Sequence, residues 1–305
     1  MILITEFMDK TAVAQLTDLF ATNYAPALAD SQHLLAQEMA GVKAIIVRNR
    51  TQVTAELLDH APDLQCVGRL GVGLDNIDVQ ACQARNIAVY PAIGANDLSV
   101  AEYVITSAMV LLRGAYNAHS AMLAGEWPRQ ACAGRELSGK TLGLIGYGSI
   151  AREAAKRAKA MGMKVCAYDP FLEPSNPAWG NTQAMPLDAL LQVADVVSLH
   201  VPLTNDTYHL ISNDQLALMK AGAVLVNAAR GGVVDEVALA HVMREGMLGG
   251  AALDVFENEP LTADDAAKFI GLDNLLLTPH IAGVTVESNI RVSQLIADRV
   301  IQHLR

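Results

Sequence analysis

The chain has 305 residues, of which 52% are hydrophobic and 18% are charged, and its formal net charge at pH 7 is −10. That length suits about two globular domains, and the negative charge argues against a nucleic-acid partner because phosphate binding needs a clustered basic face. The N-terminus lacks the basic segment of a signal peptide and no apolar run is long enough to cross a membrane, so the sequence predicts a cytoplasmic protein without a membrane partner.

The four cysteines form no C-x-x-C pair and no metal-like grouping with histidine. In the cytoplasm such thiols stay reduced. We therefore expect no bound metal and free, mostly buried thiols at Cys66, Cys82, Cys132 and Cys166.

Residues 1–95 alternate apolar runs with helix-prone segments, which predicts a small parallel α/β domain. The strand-like runs are 2–5, 43–48, 65–70 and 87–90. The helix-like segments are 11–21, 55–60 and 79–85.

A long apolar segment follows this first region. Ser99 and Glu102 have the spacing of a capping box, which predicts that a helix begins there and continues to about Arg113. A helix of that length can connect two domains.

Residues 141–169 carry the pattern of a dinucleotide-binding unit. An apolar strand, a glycine-rich turn, a helix and a second apolar strand follow one another at Thr141–Ile145, 146–151, 151–161 and Lys164–Tyr168. Gly146 allows a tight turn, and Gly148 allows the backbone to approach a pyrophosphate closely. The small Ala151 lets the helix pack against the strand, with the phosphates at the helix N-terminus.

Asp169 ends the second strand of this unit. A carboxylate at this point accepts hydrogen bonds from the ribose hydroxyls of NAD and repels the 2′-phosphate of NADP. No arginine follows that could receive such a phosphate, so the sequence predicts NAD. A glycine-rich turn without a ligand is the alternative.

Polar residues follow several later strands, at the edge where open parallel sheets bind ligands. The predicted strands are 193–200, 223–227, 250–254 and Leu275–Leu277. Arg230 could hold a carboxylate through two parallel hydrogen bonds. The final helix, Val286–Leu304, follows Gly283 and is expected to pack on the first domain.

As a set, these motifs resemble those of the D-2-hydroxyacid dehydrogenases. They lie at 68–78, 146–151, 198–203, 227–232, 256–260 and 278–280. The resemblance implies two doubly wound parallel-sheet α/β domains, with a Rossmann NAD-binding domain, 98–283, inserted into a flavodoxin-like substrate domain, 1–97 and 284–305. It also implies a cleft active site and a homodimer.

Carried over by position, the resemblance makes Arg230 the substrate-orienting arginine, Glu259 the partner carboxylate and His280 the general acid/base. Hydride transfer at a hydroxyl carbon requires a proton to leave its oxygen, and histidine suits that task because its pKa lies near the operating pH. A nearby carboxylate fixes the histidine tautomer. Singly, the three could be a surface arginine, a solvated acid and a core histidine.

The resemblance also suggests the cofactor contacts. His200, Val201 and Pro202 should lie along the nicotinamide, and Asp254 near its carboxamide. Ser149, where many relatives carry arginine, should contact the pyrophosphate together with its neighbour. The remaining expected cofactor residues are Ile150, Ala228, Ala229, Ala282 and Gly283.

Three arginines, Arg48, Arg50 and Arg69, gather in the first domain of an acidic chain. The N–H groups of the loop at Val72 and Gly73, together with Arg230 and His280, already suffice for a substrate with one carboxylate. The extra arginines, with Asn96, therefore predict a substrate with a second anion. Surface arginines paired with nearby acids are the alternative.

The stretch around Arg48 resembles phosphoglycerate dehydrogenases, which hold a phosphate, and sulfolactate dehydrogenases, which hold a sulfonate. We predict an NAD-dependent oxidoreductase that interconverts a D-type 2-hydroxy acid with a second anionic group and its 2-oxo acid, sulfolactate being favoured. The alternatives are a 3-phosphoglycerate dehydrogenase, a glyoxylate or hydroxypyruvate reductase and, less favoured, an NAD-sensing corepressor-like binding protein.

The resemblance places a two-fold dimer interface on the helix near Ser99 and the segment through Trp127. Met109, Val110 and Leu111 are apolar enough to be buried there. Burial in the core of the same chain is the alternative.

Overall fold

The computed structural model describes residues 1–305 and divides into two compact units, residues 1–96 with 284–305 (unit 1) and residues 97–283 (unit 2). The strands are β1 Ile2–Ile4, β2 Thr22–Tyr24, β3 Ala44–Val47, β4 Cys66–Arg69, β5 Ala88–Pro91, β6 Thr141–Ile145, β7 Lys164–Tyr168, β8 Gln183–Ala184, β9 Val196–Leu199, β10 Val224–Asn227, β11 Gly250–Leu253 and β12 Leu275–Leu277. The α-helices are α1 Lys10–Leu19, α2 Gln32–Glu38, α3 Ala55–Asp59, α4 Val79–Ala84, α5 Asp97–Arg113, α6 His119–Leu123, α7 Ser149–Ala160, α8 Leu187–Val193, α9 Asn213–Leu218, α10 Glu236–Arg244, α11 Ala263–Ala266 and α12 Val286–Leu304.

Unit 1 is built on a five-stranded parallel sheet in the order β2-β1-β3-β4-β5. Every residue of β1 and β3 is buried, which explains why these strands read as continuous apolar runs. On one face α1 and α12 cover the sheet with side chains such as Leu16, Ile296 and Val300. On the other face α2, α3 and α4 do so. The C-terminal helix is therefore part of the first unit.

Unit 2 is built on a seven-stranded parallel sheet in the order β12-β11-β10-β9-β6-β7-β8. Helices α5 and α7 cover one face, and α8, α9 and α10 cover the other. The strand order reverses between β6 and β9, which creates a crevice beyond the carboxyl ends of these strands. The two parallel sheets confirm the predicted α/β fold class.

Several predicted bounds are confirmed to the residue, namely those of β6, β7, β12 and α12. The capping box is wrong, because α5 begins at Asp97 and Ser99 therefore lies inside its first turns, where it is buried. The acid Asp97 in the first turn favours this earlier start, since the N-terminus of a helix attracts negative charge. Strand β2 and helix α2 were not predicted.

The four cysteines are all free, and Cys132 alone among them is not buried. Burial raises the pKa of Cys66 to about 12 and that of Cys166 to about 11, so both are neutral thiols.

No single helix combines the length and apolar character needed to cross a membrane. Two consecutive helical segments, Asp97–Arg113 and Ala115–Leu123, are long and apolar enough when taken together, but they are bent by 61° relative to each other.

Candidate active site

A tight turn after β10 carries Arg230. The side chain of Asn227 holds this turn, since its Nδ2 donates to the Arg230 carbonyl at 2.9 Å and its Oδ1 accepts the Ala229 N–H at 3.1 Å. A Cβ atom at Gly231 would lie only 1.7 Å from the Phe256 carbonyl oxygen. Glycine is therefore required where the Arg230 turn packs against the loop that follows β11.

That loop carries Glu259, whose carboxylate makes the central contact of the site. Its Oε2 atom lies 2.7 Å from Nδ1 of His280, and its Oε1 accepts the Phe256 N–H at 3.0 Å. Burial raises the pKa of Glu259, but the His280 hydrogen bond, the charges of His280 and Arg230 and the Phe256 N–H together hold it below its ordinary value. Glu259 is thus an anion at neutral pH, and it leaves Nε2 of His280 as the nitrogen that can act on a substrate.

The backbone of His280 is held by Asp254, which is 1% exposed. Its Oδ1 accepts the Thr278 hydroxyl at 2.6 Å and the Ile281 N–H at 2.8 Å, and its Oδ2 accepts the Ala282 N–H at 2.7 Å. His280 has a positive φ of 55°, a conformation that non-glycine residues adopt only where their surroundings enforce it. Asp254 supplies that constraint.

Sequence reasoning placed Asp254 near the nicotinamide carboxamide and missed this holding role. It also missed Tyr103 on α5, whose hydroxyl lies 2.6 Å from the Thr278 hydroxyl and extends the network to the helix layer. The signal for Thr278 was present, because it belongs to the Thr-Pro-His motif. Nothing in the local sequence marks Tyr103.

A second network joins the loops that follow β9, β10 and β11. His209 lies between two carboxylates, with Nε2 at 3.1 Å from Glu257 and Nδ1 at 3.8 Å from Asp235. These three side chains are close enough for a metal, but each imidazole nitrogen points to a different acid. His209 thus lies within hydrogen-bond distance of Glu257 and within ion-pair distance of Asp235.

The glycine-rich turn leads from β6 into α7. Gly146 has a φ of +86°, and a Cβ there would lie 2.6 Å from the His200 carbonyl oxygen. Gly148 is the N-cap of α7, and a Cβ atom there would meet nothing within 4 Å, so the approach to the helix N-terminus is open. Ser149 and Ile150 form the first turn, whose unpaired N–H groups suit a pyrophosphate. These residues fit NAD.

Asp169 follows β7 beside this turn. Its carboxylate accepts the Tyr147 N–H at 2.9 Å and the Phe171 N–H at 3.0 Å, which fixes its position. Next to it lies a mainly apolar cavity of about 360 Å³, wide enough for an adenine ring. The cavity is lined by Tyr168, Asp169, Leu172, Pro174, Trp179, Ala184, Met185 and Pro186.

The other predicted cofactor residues lie at the carboxyl edge of the same sheet, because all its strands are parallel. They are His200, Val201 and Pro202 after β9, Ala228 and Ala229 after β10, Asp254 after β11, and Ala282 and Gly283 beyond β12. Burial lowers the pKa of His200 to about 4, and its Nε2 lies 3.0 Å from the Ser198 hydroxyl. His200 is therefore neutral at pH 7.

The arginines of unit 1 differ in their surroundings. Arg48 is half-buried, its Nη2 donates to the Asn289 side chain at 2.9 Å, and no carboxylate lies within 4 Å of it. Arg50 is half-exposed and forms an ion pair with Asp30 at 2.6 Å, as the alternative of a surface arginine predicts. The guanidinium of Arg69 lies against the backbone of Gly71.

The loop after β4 presents two backbone donors. The Gly71 N–H bonds to the Arg69 carbonyl at 2.8 Å, whereas the N–H groups of Val72 and Gly73 make no hydrogen bond within the chain. They fit the predicted carboxylate-binding role. Asn96 has a buried side-chain oxygen without a hydrogen-bond partner.

A model of the D-isomer specific 2-hydroxyacid dehydrogenase NAD-binding domain matches residues 105–282. The chain is also 55% identical to (S)-sulfolactate dehydrogenase of Chromohalobacter salexigens, over 98% of its own length and 96% of that protein. The chain belongs to the D-isomer specific 2-hydroxyacid dehydrogenases. It is an NAD-dependent oxidoreductase that acts on 2-hydroxy acids.

Other relatives show the range of this family. The dehydrogenase is 40% identical to hydroxypyruvate reductase of Thermotoga maritima, over 90% of both chains, and 41% identical to D-3-phosphoglycerate dehydrogenase of Archaeoglobus fulgidus, of which it spans about half, 51%. Among solved structures, D-lactate dehydrogenase from Aquifex aeolicus, in complex with NAD and lactic acid, superposes with a TM-score of 0.86 at 30% identity, over 100% of this chain and 95% of that one.

Replacing Asp169 tests its part in cofactor choice. In the variant Asp169→Ser the carboxylate that repels a 2′-phosphate is gone, so we expect kcat/KM with NADP to rise at least about tenfold relative to that with NAD. Steady-state rates with both cofactors measure the ratio. Glu173→Gln, which removes a neighbouring acid, should leave it unchanged, and equal use of NAD and NADP by the unmodified enzyme would contradict the role of Asp169.

Proposed function

We propose that the dehydrogenase interconverts a D-configured 2-hydroxy acid that carries a second anionic group and its 2-oxo acid, with sulfolactate as the favoured substrate. The observation that carries this proposal is Arg48, a half-buried guanidinium without a carboxylate in ion-pair distance. Burying such a charge is costly unless an anion compensates it. A substrate sulfonate would supply that anion.

The charge of the second group favours a sulfonate over a phosphate. A sulfonate carries one negative charge, whereas a phosphate monoester carries about 1.5 to 2 at pH 7. Arg50, which could have supplied a second positive charge, is already paired with Asp30. Arg48 alone therefore matches a sulfonate better.

The (S) label of the sulfolactate dehydrogenase from C. salexigens agrees with a D-type substrate. At the hydroxyl-bearing carbon of sulfolactate the carbon attached to sulfur takes priority over the carboxyl carbon, because sulfur outranks oxygen. In lactate the carboxyl carbon takes priority over the methyl carbon. The spatial arrangement named (R) in D-lactate is therefore named (S) in sulfolactate.

In this proposal each catalytic residue has one task. NAD, when bound, supplies the hydride acceptor. Nε2 of His280 takes the proton from the substrate hydroxyl, while Glu259 holds Nδ1 and favours the imidazolium that forms. Arg230 binds the carboxylate and polarises the carbonyl oxygen, and the free N–H groups of Val72 and Gly73 assist in binding.

Two alternatives remain within the same chemistry. The similarity to D-3-phosphoglycerate dehydrogenases supports 3-phosphoglycerate, which also carries a second anion. The similarity to a hydroxypyruvate reductase supports a general glyoxylate or hydroxypyruvate reductase, for which Arg48 would have no anion to bind.

Removing the imidazole tests the acid/base role. His280→Ala should lower kcat by roughly a hundredfold to ten-thousandfold, because the proton then lacks a positioned acceptor. The Kd of NADH, measured by fluorescence, should stay within about twofold. Glu259→Gln, which keeps a hydrogen-bonding side chain but loses the charge, should cost less. Full activity of the histidine variant would exclude His280 from the reaction.

Arg48→Ala tests the second anion, with Arg50→Ala as its matched control. We expect the first variant to lose at least about tenfold in kcat/KM on sulfolactate and 3-phosphoglycerate but not on lactate, since a buried charge-assisted contact is lost. The control should change little on any of the three acids. Equal losses of Arg48→Ala on all three, or full activity of the unmodified enzyme on lactate, would contradict a site for a second anion.

We also infer a homodimer that buries the segment after α5. Large apolar side chains there are widely exposed in the single chain, with Tyr116, Leu123 and Trp127 more than 70% exposed. Leu111, by contrast, packs in the core of its own unit, and Met109 is 37% exposed. Isolated exposed residues are common, but three large ones in one short segment suit an interface.

Light scattering at micromolar concentration should give twice the chain mass. The double variant Leu123→Asp with Trp127→Asp should shift the protein toward a monomer, because burying unpaired carboxylates opposes association. Phe171→Asp, which alters an equally exposed apolar residue elsewhere, serves as the control. A monomer for the unmodified chain would refute the interface.

We place the enzyme in the cytoplasm. The four free thiols, none of them paired, suit a reducing compartment.

A further inference from the structure

Glu6 follows β1 and is 3% exposed, which is unusual for a glutamate. Its carboxylate accepts four successive backbone N–H groups from the segment that follows β3. Oε1 accepts those of Arg48 at 2.8 Å and Thr51 at 3.0 Å, and Oε2 accepts those of Asn49 and Arg50 at 3.2 Å each. Its one ion pair is a distant contact with Arg50 Nε at 3.9 Å.

Successive N–H groups that point at one spot form a backbone nest, a concave site for an anion. In the segment 48–51 the nest is filled by a carboxylate of the same chain. Burial raises the pKa of Glu6, but the N–H groups of Thr51, Arg48 and Arg50 outweigh that effect and hold it below the ordinary value. The carboxylate is therefore ionised at neutral pH.

The filled nest constrains how a substrate anion can bind nearby. With four N–H groups committed to Glu6, the backbone of segment 48–51 has no N–H group left to donate to a sulfonate, and the proposed function assigns that contact to the Arg48 guanidinium. Arg48 is fixed at both ends. Its backbone N–H donates to Glu6, and its Nη2 donates to the Asn289 side chain. The far end of the segment is also fixed, since the Asn76 amide donates to the Thr51 carbonyl at 2.6 Å.

We propose that Glu6 is a positioning residue, which holds the segment 48–51 so that the Arg48 guanidinium is aimed at the second anion of the substrate. This inference rests on the proposed function. Glu6 itself does not touch the substrate. It acts through four charge-assisted hydrogen bonds, which are among the stronger contacts a buried carboxylate can make.

The variant Glu6→Gln tests this role without changing side-chain size. An amide nitrogen replaces one of the two carboxylate oxygens and cannot accept a hydrogen bond. The two backbone N–H groups that this oxygen accepts then lose their partner, and segment 48–51 is held less tightly. We expect KM for sulfolactate to rise roughly ten- to a hundredfold, as for other small misplacements of binding groups. KM for lactate, kcat on sulfolactate and the Kd of NADH should each stay within about twofold.

Glu6→Asp serves as the conservative variant, since it keeps the charge but is shorter by one methylene. It should give a KM for sulfolactate between those of the unmodified enzyme and Glu6→Gln. If Glu6→Gln fails to fold, the aspartate variant carries the test alone. Asp30→Asn is the matched control, because it removes an acid that binds the same segment from the surface through Arg50. It leaves the Glu6 contacts in place, so it should not raise KM for sulfolactate.

A purely structural role predicts a different pattern. In that case the Glu6 variants lower the melting temperature and either change KM for sulfolactate and lactate equally or change neither, and the inference is overturned. Arg48→Ala separates this failure from that of the proposed function. If Arg48→Ala is selective for acids with two anions but the Glu6 variants are not, only the role of Glu6 is wrong. If Arg48→Ala is not selective, the second-anion site itself is wrong.

Discussion

Buried carboxylates that accept backbone N–H groups hold the loops on which the proposed chemistry depends. Asp254 binds the segment that carries His280 through Ile281 and Ala282, and Glu6 binds the segment that carries Arg48. In both cases the parallel sheet ends just before the loop, so the strands no longer supply hydrogen-bond partners. A carboxylate offers several lone pairs in one side chain and can satisfy two to four N–H groups at once.

Hydrogen bonds, neighbouring charges and burial determine which of these groups are charged at neutral pH. The pKa values of Glu6 and Glu259 lie below their ordinary values, so both acids are anions, whereas burial keeps His200 neutral. Glu259 faces a histidine that must take up a proton during turnover. The carboxylate therefore stabilises the imidazolium without itself exchanging a proton, because its own pKa lies far below that of an ordinary histidine.

Features of the fold that depend on neighbouring residues in the sequence were predicted, whereas contacts between residues far apart in the sequence were not. Strands β6 and β7 and helix α12 were predicted with the correct bounds, because apolar runs and helical periodicity are local patterns. The start of α5 was wrong, since Ser99 has the pattern of a cap but lies in a buried part of the helix. The pairing of Arg50 with Asp30 could not be predicted, because no local pattern shows which of several arginines meets an acid after folding.

The candidate site shows the same division. Arg230, Glu259 and His280 were recognisable from motifs, and the structure places Glu259 beside His280. Glu6 was not recognisable, because it lies 42 residues from Arg48 and belongs to no motif. Only the register of β1 beside β3 makes them neighbours, since Ile4 pairs with Ile46 and Glu6 and Arg48 each lie two residues beyond that pair.

The charge balance around Arg48 connects the fold to the substrate. The chain as a whole carries a net charge of −10, which repels an acid with two anions, but charges beyond about 8 Å are largely screened at physiological ionic strength. Local charge therefore decides binding. Burial lowers the pKa of the Arg48 guanidinium, and the nearby charge of Glu6 only partly offsets that effect. The Glu6 carboxylate oxygens are engaged by the backbone N–H groups of residues 48–51. Apart from the bond to Asn289, the half-buried Arg48 guanidinium thus keeps donors for one incoming anion, and under the proposed function a singly charged sulfonate meets that requirement better than a phosphate.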